Sequence, residues 1–309
     1  MRLPLRLLLV TVLASGLSAA TFYVTVAGLG GEPDYEQRFN GLASDLDRLF
    51  AQADDARVRT LRGAEATKER LRAALAEVAQ QARPEDAFVL LVIGHGSFDG
   101  HQYKVNLPGP DVSAEELARM LDPIRAGRQL AAVMTSSSGA ALPALQRQGR
   151  AVITATRSGT EKNAVVFARY WVAALQDAAA DTDKNEVITA LEAFLYADRK
   201  TVDFYTAQKR LATEHALLED TGAGDGVRLP SAANGRGLVA GGFPLMRIGS
   251  AQKALQDPAK RDLLARKEQL EQQIDKLKYE KAAMPTAEYR KQLTALLLEL
   301  AKTQEALER

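Results

Sequence analysis

Between residues 21 and 156, five short apolar runs alternate with longer segments of helical period, and this alternation constrains the fold more than any other feature of the chain. The runs are TFYVTVAG (21–28), RVRTLRG (57–63), AFVLLVI (87–93), LAAVMT (130–135) and AVITAT (151–156), rich in β-branched and aromatic residues. A helical pattern opens at Asp34 or Glu36 and carries Phe39, Leu42, Leu46, Leu49 and Phe50 on one face. A second covers 67–83, and a third runs from Ser113 to Leu121 with Ser113 as N-cap and Glu116 at the capping-box position. A short helical stretch near Leu142–Arg147 precedes the fifth run. Strands joined through helices require crossover connections and a mostly parallel sheet covered on both faces. The expectation is therefore one three-layer α/β domain over residues 21–220.

In such sheets, ligands gather beyond the carboxyl ends of the strands. Two of these ends are chemically unusual: IGHGSFDG (93–100) and TSSSGAA (135–141). The glycines around His95 permit a tight turn and close approach of the backbone to a ligand. Read alone, the first segment is equally a Gly-rich turn holding a structural histidine. The second is equally a polar turn whose serines cap a helix. Their placement on neighbouring strands makes the pair a candidate site.

An apolar strand ending in His-Gly, followed about forty residues later by a second ending in a small-residue loop, resembles the caspase-fold cysteine peptidases, and the legumain family in particular. In that family the second strand ends in a Glu-Ala-Cys-Glu-Ser-Gly-like segment, where this chain reads Met134, Thr135, Ser136, Ser137, Ser138, Gly139. ITATRSGTEKN (153–163) is similar to the stretch that family carries near its specificity pocket. The resemblance spans residues 21–220 and implies a caspase-like fold. It also implies His95 as general base, Gly96 as a backbone donor to an oxyanion, and Ser136 at the position of the catalytic cysteine.

That last position departs from the family, for the chain contains no cysteine. A thiol with a pKa near about 8.5 readily gives a thiolate, whereas a serine must lose its proton to a base as it attacks. Two readings follow. One is a non-catalytic or weakly active binding or scaffold homologue of a cysteine-type endopeptidase, with a peptide or protein ligand. The other is an endopeptidase or related hydrolase in which Ser136 attacks, His95 takes its proton, and the amides of Gly96 and Ser136 hold the oxyanion. Asp99 and Asp111 lie near His95 in the chain without being assignable as its acid partner.

DTDKNEVITALE (181–192) has the spacing of a calcium loop, with Asp181, Asp183, Asn185, Val187 through its carbonyl, Thr189 and Glu192 at positions 1, 3, 5, 7, 9 and 12. Glu186 stands where glycine is wanted, at a cost of about 1 kcal/mol. The alternative is a polar linker in which Asp183 or Asn185 caps the helix EVITALEAFLYADRK (186–200). No other cofactor is predicted; His95 and His101 lack a third ligand at zinc spacing. RLATEHALLEDTGAGDG (210–226), with Glu214, His215, Glu219, Asp220 and Asp225, reads as a solvated acidic helix end with a glycine stop, or as part of a metal site or the wall of an acidic pocket.

MRLPLRLLLVTVLASGLSAA (1–20) reads as a secretory signal peptide cleaved after Ala20, with export to the periplasm; an uncleaved membrane anchor is the alternative. Its removal takes the formal charge from +1 to −1, which argues against a nucleic-acid partner. Residues 221–250 form a Gly-rich linker with a possible edge strand near FPLMRI (243–248). Over 251–309, Leu263, Leu270, Ile274, Leu277 and Met284, then Tyr289, Leu293, Leu296, Leu300 and Leu307, mark two apolar stripes. They predict an antiparallel helical hairpin whose seam is covered by its other helix, by a partner or second copy, or by the main domain.

Overall fold

A computed structural model describes residues 19–309; the expected signal peptide lies, up to residue 18, outside the described residues. The main sheet contains β1 (Thr21–Ala27), β2 (Ala56–Leu61), β3 (Ala87–Gly94), β4 (Arg128–Thr135), β5 (Arg150–Thr154) and β6 (Leu217–Glu219), in the order β6-β5-β4-β3-β1-β2. The first five are mutually parallel, and β6 closes one edge antiparallel to β5. Every residue of β3 is buried, as a central parallel strand demands. Its side chains alternate between two cores. Val89, Leu91 and Ile93 enter the layer of α1 (Pro33–Phe50), α4 (Phe167–Ala174) and α5 (Ala190–Ala207) with Phe39, Trp171 and Phe194. Phe88, Leu90 and Val92 enter the layer of α2 (Lys68–Gln81) and α3 (Ala114–Leu121) with Leu71, Leu75 and Leu117. Each such side chain contributes about 1.5–3 kcal/mol on burial. The three-layer α/β architecture is as the alternation of runs requires.

The expected capping box of α3 is present: Glu116 N donates to Ser113 Oγ at 3.2 Å and Ser113 N to Glu116 Oε2 at 3.0 Å. The acidic stretch 210–226 is not a solvated helix end. The helix stops at Ala207, Leu217–Glu219 is a sheet strand, and Glu214, Glu219 and Asp220 are buried acceptors. Glu214 accepts from Val166 N at 2.8 Å, Phe167 N at 3.1 Å and the Tyr205 hydroxyl at 2.9 Å, so it holds the first turn of α4. Asp220 accepts from Val239 N and Ala240 N. Charge in the sequence reads as solvation; here the carboxylates are consumed by backbone donors that would otherwise be orphaned.

The strand expected near FPLMRI is Pro244–Arg247, but it pairs with Val187–Thr189 in a separate ladder, not with the main sheet edge. Beyond it lie a short helix (Gly249–Gln256), then α6 (Pro258–Glu280) and α7 (Thr286–Glu308). The last two are antiparallel, Arg266 pairing with Glu299 and Lys260 Nζ reaching the Leu307 carbonyl. α6 buries Leu264, Leu270, Ile274 and Leu277, so Leu264 takes the place expected for Leu263. It docks on the main domain: Arg247 makes a two-pronged contact with Glu268 at 2.7 and 2.9 Å, and Gln272 donates to the Gly242 carbonyl. α7 rides on α6 with Leu293, Leu296 and Leu300 half-buried and Leu297 and Leu298 exposed.

Replacing Glu214 by alanine leaves two buried amides and one hydroxyl without their acceptor. The expected loss is about 2 kcal/mol, read as a lower urea midpoint at unchanged slope. An unchanged midpoint would contradict the role given to Glu214.

Candidate site at the carboxyl edge

β3 and β4 run in parallel register down to the pair Gly94 and Thr135. The next residues, His95 and Ser136, therefore leave adjacent strands side by side. Glycine is required at 96 for a steric reason, since a Cβ there would lie 2.4 Å from the Ser136 carbonyl oxygen and 2.7 Å from the Tyr103 ring. The histidine turn and the serine loop are thus in backbone contact. Gly96–Phe98 pairs with Tyr103–Val105, and the Tyr103 hydroxyl bonds Thr135 Oγ1 at 2.6 Å, tying that hairpin to the end of β4.

A third loop, 156–163, locks onto both. Gly139 N donates to Thr156 Oγ1 at 2.9 Å, Ser137 N donates to the Glu161 carbonyl at 2.8 Å, and a Cβ on Gly159 would strike the Phe98 ring at 2.2 Å. The three serines of the second loop have separate fates. Ser138 Oγ accepts from Ala155 N at 3.0 Å and Thr156 N at 3.2 Å, a purely structural tie. Ser136 and Ser137 are 2% and 0% exposed, and their hydroxyls make no hydrogen bond among the described residues. Ser137 also has a left-handed backbone, at φ 58°.

His95 is half-buried, its ring edge-on to Tyr35 at 4.7 Å and Phe39 at 5.1 Å, both on α1. Burial lowers its pKa below the usual imidazole value, opposed by the nearby Gly30 backbone and the Glu32 carboxylate. Glu36 fixes that Gly30 loop by accepting from Gly30 N at 2.9 Å. No hydrogen bond joins His95 to Ser136 among the described residues. Asp99 accepts from His101 N and Gln102 N, and Asp111 from Leu107 N and the Asn106 side chain, so both carboxylates shape the hairpin.

Sequence reasoning did not find the wall that Tyr35 and Phe39 make for His95. Nor did it find the pair formed by His215 Nδ1 and Glu161 Oε1 at 2.5 Å, which Arg157 joins at 3.0 Å. Glu161 and His215 stand 54 positions apart, and only the antiparallel return of β6 brings them together. A cavity of about 650 Å³ lies at the opposite, amino edge of the sheet, lined by Tyr23, Arg128, Arg261 and Glu268 among others.

Of the six predicted calcium-loop positions, the structure gathers carboxylate oxygens of Asp181, Asp183 and Glu192 within 4.8 Å of one another. Asn185 sits beside them, its Nδ2 3.2 Å from Asp183 Oδ2. Val187 enters the ladder with Arg247. Thr189, not Asp183 or Asn185, caps the helix: it forms a capping box with Glu192, and α5 starts at Ala190.

The chain matches no protein-family model and no curated protein. Among solved structures it is similar to caspase-1 of Spodoptera frugiperda, at 12% identity over 66% of this chain and 87% of that chain, with a TM-score of 0.46. It is also similar to the Drosophila initiator caspase Dronc, at 11% identity over 68% and 82%, with a TM-score of 0.42. A protein of Geobacter sulfurreducens is similar at 12% identity over 60% and 89%, with a TM-score of 0.43.

The lowered His95 pKa has a signed consequence. A base whose folded pKa lies below its unfolded value, about 6.5, favours the fold when neutral, and that contribution is lost as pH falls through the folded pKa. His95→Gln is therefore expected to soften the decline in melting temperature between about pH 7 and pH 5. Parallel profiles for the two proteins would contradict this environment for the imidazole.

Proposed function

We propose that this chain is an exported protein of caspase-like peptidase fold that has lost catalysis and binds a peptide or protein ligand across the carboxyl edge of its sheet. Ser136 carries this reading: its hydroxyl is enclosed and has no hydrogen bond to His95. A serine attacks only as a positioned base removes its proton, which needs heavy atoms within about 2.6–3.2 Å. The His-Gly turn, the TSSSG loop and the TRSGTEKN loop support the relationship to the legumain-like peptidases, and the chain has serine where those enzymes have their thiol. The interlocked loops at 95–100, 135–139 and 156–163 supply the binding edge, with Arg157 and Lys162 exposed on it. Export rests on the apolar, arginine-led segment 1–20.

The register that sets His95 beside Ser136 favours a second reading, hydrolysis with Ser136 as nucleophile and His95 as base. A mixed peptide library incubated with the purified protein, with Ser136→Ala and with His95→Ala separates the two. Intact peptides from all three folded proteins, with photo-crosslinks falling on residues 95–100 and 156–163, are expected. Cleavage by the parent that both substitutions abolish would overturn the non-catalytic reading.

A further inference from the structure

The acidic loop between α4 and α5 plays no part in that reading and stands independently of it. Asp181 is 3% exposed; its Oδ2 accepts from Glu186 N at 3.1 Å, while Oδ1 is enclosed with no hydrogen-bond partner among the described residues. Asp181, Asp183 and Glu192 crowd carboxylate oxygens within 4.8 Å, and none of the three is paired with a lysine or arginine side chain among the described residues. The nearby ammonium groups are engaged elsewhere: Lys184 Nζ reaches the Asp181 backbone carbonyl, and Lys267 Nζ the Asn185 carbonyl at 3.0 Å and the Glu271 carboxylate at 3.8 Å. Three carboxylates thus stand together with no side-chain ion pair among the described residues, around one buried oxygen with no donor to accept from.

The same loop is where the C-terminal region is fastened. Glu186 adopts the left-handed backbone, at φ 69°, that glycine supplies in a calcium loop. Its carboxylate repays the strain by accepting from Ser250 N at 2.8 Å and Ala251 N at 3.0 Å, at the start of the Gly249–Gln256 helix. Asn185 Nδ2 donates to Glu271 Oε2 of α6 at 3.2 Å, and Val187–Thr189 pairs with Pro244–Arg247.

We propose that Asp181, Asp183, Asn185 and Glu192 bind one calcium ion, and that the ion stiffens the clasp between this loop and α6. The ligand set is oxygen only, which suits a hard cation. A loop that brings several protein oxygens to one place suits calcium, which takes about six to eight oxygen ligands in flexible geometry, better than magnesium, which keeps several of its waters. Glu192 Oε1 accepts from Thr182 N at 2.8 Å and from the Thr182 hydroxyl at 2.9 Å; it keeps the amide and exchanges the hydroxyl for the ion, while Oε2 keeps its cap on Thr189. Water completes the shell.

The test uses chelator-treated purified protein, titrated by calorimetry with calcium chloride and, separately, magnesium chloride, with hydrogen exchange read by mass spectrometry in each state. Calcium is expected to bind one per chain, to raise the melting temperature, and to slow exchange both in 181–192 and in α6 around residues 264–277. Asp183→Asn, and separately Glu192→Gln, which retains a capping side chain, are each expected to weaken calcium about tenfold or more with the fold intact by circular dichroism. No heat and no melting shift up to about 10 mM calcium would overturn the site. An equal response to magnesium would overturn the assignment to calcium. Binding with protection confined to 181–192 would overturn the clasp.

Discussion

Parallel pairing of β3 with β4 over eight residues is the constraint on which the carboxyl edge depends. Both strands are buried over nearly their whole length, so a slip of one residue would turn every apolar side chain of β3 to the wrong core. Register is therefore held by the whole hydrophobic interior. It delivers His95 and Ser136 to the same level, and Gly96 then lets the two loops meet without a side chain between them.

What that proximity means chemically is decided by packing further out. The imidazole leans on Tyr35 and Phe39, residues of α1 that also belong to the core face of the helix or border it. The serine loop turns inward through the left-handed Ser137 and the amide donors that bind Ser138. Two groups adjacent in register are thus held in different environments, one against aromatic rings and one enclosed. A thiolate tolerates distance from its histidine because it is already charged. A serine does not, and the chain has no cysteine and encloses Ser136.

The strands, the crossovers and the Ser113–Glu116 capping box were legible because they rest on local period and local hydrogen bonding. The long-range features were not. β6 is three residues long and set among acids, so its pairing with β5 leaves no periodic trace, and the backbone amides that bury Glu214 and Asp220 come from about twenty to fifty positions away. Position 186 was legible as a place for glycine, but the compensating contact with Ser250 lies 64 residues downstream. Likewise the heptad spacing of Leu263, Leu270 and Leu277 describes a two-helix seam, whereas α6 also packs on the main domain, and that second surface selects Leu264. The candidate site was legible as loops; the enclosure of Ser136 and the wall behind His95 are products of tertiary packing.

The central claim is that Ser136 is not an activated nucleophile. The most direct measurement is reaction of the purified protein with a fluorophosphonate, a reagent that modifies activated serines, followed by peptide mass spectrometry. The packing described predicts no adduct on Ser136 or Ser137, in the parent protein or in His95→Ala. A stoichiometric adduct on Ser136 that His95→Ala abolishes would contradict it and make this edge an active site.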